Sequence, residues 1–190
     1  MKNNLLKQAI YLPIVYFGSI ILASVFAEEY SQIGQHVSEL AINKNETAGT
    51  IFNIGIFGTG ISLILYGIGL WASFKRQFSI TSFLIIVFGI TFLFGAIYKI
   101  GSPWHGLYGI GISVMMLPLA FLYEMKERNT NSFTKNISIL VAALTFIYFW
   151  AMIAGLDPSE HRGLTQRTFG FILFGFVSYT AYVTSKQRIA

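Results

Sequence analysis

Cysteine is absent from the 190-residue chain, which excludes disulfides, thiolate metal ligands and thiol redox chemistry. Charge is nearly as scarce: Asp, Glu, Lys and Arg make up 11% of the residues, whereas 54% are hydrophobic and 16% aromatic. Soluble proteins carry about a quarter charged residues, so this composition belongs to a membrane protein. Apolar–polar alternation is missing too. The stretch "FLIIVFGITFLFGAI" is apolar on every side, which excludes a closed β-barrel built from alternating strands of about ten residues. Nearly the whole length goes into segments long enough to cross a bilayer, leaving no room for a separate soluble domain. The expected fold is all-α, an integral membrane bundle forming one domain over residues 1–190.

Ionisable residues are also lacking where a transporter needs them. No Asp, Glu, Lys, Arg or His lies near the middle of an apolar run, the nearest being Lys99, which can snorkel to an interface. Ion- and proton-coupled transporters keep such residues at the midplane, and bis-histidine haem needs histidines facing each other across helices, so both classes are disfavoured. No repeat or low-complexity tract is found, and the polar "ERNTNSFTKN" is expected to be a loop.

Six runs of about 20 apolar residues are present, at 9–27, 48–71, 78–98, 103–123, 137–155 and 166–184. The first shares features with a signal peptide, with Lys2 and Lys7 ahead of it and small residues at Val25 and Ala27 before Glu28, but its apolar stretch is too long for an h-region. It is read as a retained span. Within the spans, Asn53, Thr59, Ser62, Thr91, Ser113 and Thr145, together with Gly55, Gly58, Gly60, Gly67 and Gly69, point to close helix packing.

Orientation follows from the basic residues. With the N-terminus in the cytoplasm, the inner side holds Lys2, Lys7, Lys75, Arg76, Lys126, Arg128, Lys135, Lys186 and Arg188, and the outer side Lys44, Lys99, Arg162 and Arg167. Both termini are therefore expected to be cytoplasmic. The net charge of +5 reads as this topology signal, since a nucleic-acid footprint needs a basic soluble face that the chain does not have.

On this topology the three histidines, His36, His105 and His161, all fall in outer connections. Each has a structural explanation. In "DPSEH", Asp157 suits a helix N-cap, Pro158 the first helical position and Glu160 the third. Ser102–Pro103 and Asn45–Thr47 suit the starts of the fourth and second spans, which leaves His105 in a first turn beside the interfacial Trp104. In "EEYSQIGQHVSELA", Ile33, Val37 and Leu40 form a helical stripe with Glu29, Gln32, His36 and Glu39 beside it. That pattern predicts a short amphipathic helix lying on the membrane surface.

Convergence offers chemistry instead. His36, His105 and His161, with Asp157, Ser38 and Glu39 nearby, are candidates for a shared outer pocket, and the three histidines for zinc ligands holding an activated water. Each ligand would arrive on its own loop, so no short metal-binding spacing supports the set. Spans two, four and six also start at the outer face, where helix N-termini favour anions. Arg162 and Arg167 add positive charge there, and Arg167 on the pocket rim is the favoured ligand-binding cation.

The motifs "HVSEL" at 36–40, "PWHGLYG" at 103–109 and "GLTQR" at 163–167, in that order among six spans, resemble the prokaryotic membrane family catalogued as domain-of-unknown-function family 998. The resemblance covers almost the whole chain and implies a six-helix bacterial or archaeal integral membrane protein. It supplies no activity. Family members often have an acidic residue before the "HG" and a second histidine one turn after it, where this chain has "YKIGSP" and Gly109, so two potential metal ligands are absent.

The function expected is a multi-pass protein of a prokaryotic cytoplasmic membrane whose outer pocket, with His36, Glu39, Trp104, His105, His161, Arg162 and Arg167, binds a small polar or lipid ligand. Its partners are membrane lipids, no cofactor is required, and no oligomeric state follows from the sequence. The alternative is a metal-dependent hydrolase acting on a lipid or amide at the outer interface, with His36, His105, His161, Ser38 and Asp157 as catalytic candidates and zinc as cofactor.

Overall fold

A computed structural model describes residues 2–74, 78–126, 130–156 and 158–186, and all regular structure among them is helical. Six helices are long and apolar enough to cross a membrane: α1 (Asn3–Phe26), α2 (Glu46–Trp71), α3 (Ile80–Ile97), α4 (Pro103–Met125), α5 (Ser132–Ile153) and α6 (Arg162–Lys186). This is the architecture of a multi-pass membrane protein. One end of the bundle carries the connections with His36, His105 and His161, and is called here the histidine end.

Helices α1, α5 and α6 start four to six residues earlier than the apolar runs that mark them. Their first turns are polar but hold structural partners. Gln8 donates to the Ser62 carbonyl on α2 at 2.9 Å, and Asn131 accepts from Thr134 N at 2.8 Å, capping α5. The Asn45 and Ser102 caps foreseen for α2 and α4 are present, accepting from Thr47 N at 3.0 Å and Trp104 N at 3.3 Å. The α6 start differs from expectation. Pro158 to His161 form a turn and the helix begins at Arg162, so Pro158 is not its first residue; Asp157 lies outside the described residues.

Two spans change winding along their length. In α1, a 3-10 turn over Gln8–Tyr11 precedes the α-helix Leu12–Phe26. In α4, 3-10 winding over Pro103–Met116 precedes the α-helix Leu117–Met125. Both changes fall at a Leu–Pro pair. Proline has no N–H for the carbonyl four residues back and its ring crowds that carbonyl. The first turn of a new α-helix tolerates it, because the missing donor would be unpaired there anyway. At the other end of a span, Gly155 closes α5 with φ 69°, while Leu156 N donates to Ala151 O and Gly155 N to Met152 O. That pair of bonds is the Schellman motif, whose left-handed residue favours glycine.

Small residues let α2 sit close to both neighbours. A Cβ on Gly60 would lie 2.8 Å from the Gly89 carbonyl oxygen of α3, and one on Gly55 would fall 2.0 Å from Ser19 Cβ of α1. Gly58, grouped with these by sequence, faces open space. The core between the helices is aromatic, with the Tyr16 and Phe174 rings 4.3 Å apart and Phe92 edge-on to Phe174 at 5.7 Å.

At the end opposite the histidines, Glu124 on α4 is 3% exposed. Its carboxylate accepts from Ile80 N at 2.7 Å, Thr81 N at 3.2 Å and Ser79 Oγ at 2.9 Å. A carboxylate is expensive to bury alone, but here it meets unpaired N–H groups at the positive end of α3. It thereby ties α4 to α3.

Candidate functional site

The first connection, between α1 and α2, is folded over the histidine end by α6. Arg167 Nη1 donates to the carbonyls of Gln32 at 2.6 Å, Gln35 at 3.2 Å and Gly163 at 2.9 Å, and its Nη2 donates to the Tyr30 hydroxyl. Tyr30 in turn donates to the His36 carbonyl at 3.2 Å, and Leu164 N to the Ile33 carbonyl at 3.0 Å. Gly163 makes this approach possible, since a Cβ there would stand 2.2 Å from Gln35 O and 2.7 Å from Gln32 O. Burial pushes the Tyr30 phenol up from its ordinary value of 10.0, with the Arg167 charge opposing the shift.

This docking reshapes the segment expected to be an amphipathic helix. Only Val37–Ile42 is helical, as a 3-10 turn, because Glu39 folds back to accept from His36 N at 2.8 Å and Gln166 Oε1 accepts from Val37 N at 2.8 Å. Val37 and Leu40 are buried in protein, at 2% and 0% exposure, while Ile33 is 54% exposed and off the stripe. Val37 and Leu40 thus pack inward against the bundle.

Beneath that turn is a cavity of about 240 Å³ lined by residues of all six spans and the first connection. His36 and Ser38 come from the connection, His105 from the start of α4 and Gln166 from α6; Tyr16, Phe92 and Met152 form much of the remaining wall. His105 Nδ1 lies 2.6 Å from the Tyr98 carbonyl at the end of α3. A carbonyl only accepts, so Nδ1 carries a proton in this contact. Gln166 uses its Oε1 on Val37 N, leaving an amide NH2 at the cavity. The site therefore offers imidazole, hydroxyl and amide groups above an aromatic wall.

The other residues singled out by sequence sit elsewhere. His161 is exposed on the turn before α6 and is not part of the cavity lining. Trp104 is 58% exposed, its ring 6.2 Å from that of Tyr98. Arg162 donates through Nε to the Ser159 carbonyl at 3.2 Å. Glu39 accepts from His36 N and from Gln35 Nε2, the latter at 3.1 Å. Arg167, expected on a rim, has its Nη groups on carbonyls and Tyr30 as described. Two of the three histidines are thus brought together. Among the described residues no group of three His, Cys, Asp or Glu side chains gathers as a metal site would require.

Sequence reasoning missed Gln166, although it lies inside "GLTQR", because glutamine carries no chemical signature of its own. Tyr16, Phe92 and Met152 were missed for a different reason. Each reads as one more apolar residue in a span, and only the bundle shows which of them face a cavity.

Residues 11–183 match the model of the family described as protein of unknown function (DUF998), and the chain belongs to that family. No curated protein and no solved structure matches it.

Proposed function

We propose that this protein sits in a prokaryotic cytoplasmic membrane and binds a small polar or lipid ligand in the cavity at its histidine end, which we take as the outer end because Lys and Arg are concentrated at the opposite one. One observation carries the reading: His36 and His105, from connections far apart in sequence, line the same cavity with Ser38 and Gln166. A largely apolar concave site with a few convergent polar groups is the usual form of a ligand pocket. Purified protein should carry a bound small molecule detectable by native mass spectrometry, and its occupancy should fall at least tenfold in His105→Ala and Gln166→Leu. Equal occupancy in both variants would remove this reading.

Ser38 beside two imidazoles also supports a second reading, the metal-dependent hydrolase acting on a lipid or amide. Imidazole nitrogens are good zinc ligands: His36 and His105 would be the residues at this cavity to hold the ion, which would supply an activated water. Elemental analysis discriminates the two readings. Stoichiometric zinc, lost in a His36, His105 and His161 triple alanine variant, would favour the hydrolase; its absence in both proteins would favour ligand binding without metal.

A further inference from the structure

The cavity has a second chamber. Tyr16, Phe92, Met152 and Gln166 line both the histidine cavity and an adjoining apolar one of about 190 Å³ deeper in the bundle. Phe88, Phe149, Phe169, Leu173 and Phe174 are among the apolar residues of its wall. Along α6 the deeper chamber extends from Gln166 to Phe174, about 12 Å at 1.5 Å per residue. Its space exists partly because Gly111 and Gly170 present no side chain to it.

Protein interiors are close-packed, and an apolar void costs stability because its lining atoms lose dispersion partners. Such voids stay dry and accept hydrocarbon. The upper chamber is different in kind, with imidazole, hydroxyl and amide groups, yet among the described residues no Lys, Arg, Asp or Glu lines either chamber. Arg167, the nearest cation singled out by sequence, has its Nη groups committed to Tyr30 and to backbone carbonyls. A phosphate or other permanently charged group in the upper chamber would lose its hydration without gaining a fixed opposite charge.

Building on the ligand-binding reading above, we propose that the occupant is a single-chain amphiphile with an uncharged, hydroxyl- or amide-bearing head. The head lies among His36, Ser38, His105 and Gln166, and the hydrocarbon chain passes Tyr16, Phe92 and Met152 into the deeper chamber. A monoacylglycerol has this chemistry: its hydroxyls donate to imidazole nitrogen and its ester carbonyl accepts from the Gln166 amide. Met152 suits the junction, because its unbranched thioether side chain adapts to a passing chain.

The test titrates the full-length protein in lipid nanodiscs with a monoacylglycerol, a fatty acid and a lysophosphatidylglycerol of one medium chain length, reading adducts by native mass spectrometry. Each protein's fold is checked by thermal melting. The monoacylglycerol should bind at least tenfold tighter than the lysophospholipid and the fatty acid. Met152→Trp, at a position already 39% exposed and so able to take a larger side chain, should weaken it at least tenfold by closing the junction. Leu173→Phe, a smaller change filling the deeper chamber, is the second blocking variant should the first fail to fold. Binding that is lost in His105→Ala but unchanged in the folded blocking variant would overturn the two-chamber occupant while leaving the polar site standing. Tighter binding of either charged head would overturn the uncharged-head assignment alone. No binding of any probe, with no co-purified ligand, would sink both this proposal and the ligand-binding reading.

Discussion

Gly60 and Gly89 face each other across α2 and α3 so closely that a Cβ on either would lie 2.8 Å from the carbonyl oxygen of the other. The obstacle is backbone on both sides, which cannot rotate away as a side chain could. Gly60→Ala should therefore destabilise the protein by about 1–3 kcal/mol through overpacking. Gly58→Ala, with nothing within 4 Å of the new methyl, should be neutral or stabilising by up to about 1 kcal/mol, because alanine is the better helix former. Thermal melting of the two variants side by side checks the contrast, and equal effects would refute it.

Glu124 satisfies two backbone donors and a hydroxyl at the start of α3. Glu124→Ala leaves those donors buried without their acceptor and should cost at least about 1–3 kcal/mol. Glu124→Gln keeps an acceptor oxygen but loses the charge, so it should fall between alanine and the native protein. Melting in the same membrane mimetic gives the order.

Arg167→Lys should loosen the first connection, since an ammonium cannot reproduce a planar fork that reaches three carbonyls and Tyr30 together. Hydrogen exchange across residues 30–40 should speed up in that variant while the middle of α2 stays protected. Unchanged exchange would show that the backbone bond from Leu164 and the side chain of Gln166 suffice to hold the segment.

The raised Tyr30 phenol gives a pH dependence of known sign. Burial favours the neutral form in the folded protein, with the Arg167 charge acting against it. The unfolded chain loses its phenolic proton near 10.0, the folded one later, so this contribution is complete below pH 10 and is lost as pH rises through the folded value. Stability should drop above pH 10, and the drop should be smaller in Tyr30→Phe. Equal slopes would contradict the assignment.

Orientation can be read with the chain's lack of cysteine as background. A cysteine at exposed Thr47 should react with an impermeant thiol reagent in intact cells, and one at exposed Ser132 should not. Ser73 would be a poor probe for the same experiment, being 2% exposed. Labelling at Ser132 with protection at Thr47 would invert the topology.

The number and order of the spans were legible because length and apolarity are the only requirements for crossing a bilayer, and each run meets them alone. The caps at Asn45 and Ser102 were legible for the same reason, as their partners are two residues away. What depended on distant residues was not. The stripe of Ile33, Val37 and Leu40 suggested a membrane-surface helix, but Gln166 and Arg167, about 130 positions later, draw that segment into the bundle and restrict its helix to Val37–Ile42. His36 and His105 do line one cavity, whereas His161 does not, and no local pattern distinguished them. The fourth apolar run, 103–123, stops one residue before Glu124. Its burial becomes intelligible only once the amides of Ile80 and Thr81 are seen to face it.

The position of Glu124 also sets an order of events during synthesis. Ile80 and Thr81 leave the ribosome more than forty residues ahead of the carboxylate that will cap them, an interval of about 2–9 s at typical elongation rates. Through that interval α3 has only its local cap, Ser79 Oγ accepting from Ser82 N. When Glu124 arrives it accepts hydrogen bonds from the Ser79 hydroxyl and from the first two amides. The nascent third span thus waits for the end of the fourth before its leading turn is closed, and the two spans mature as a pair.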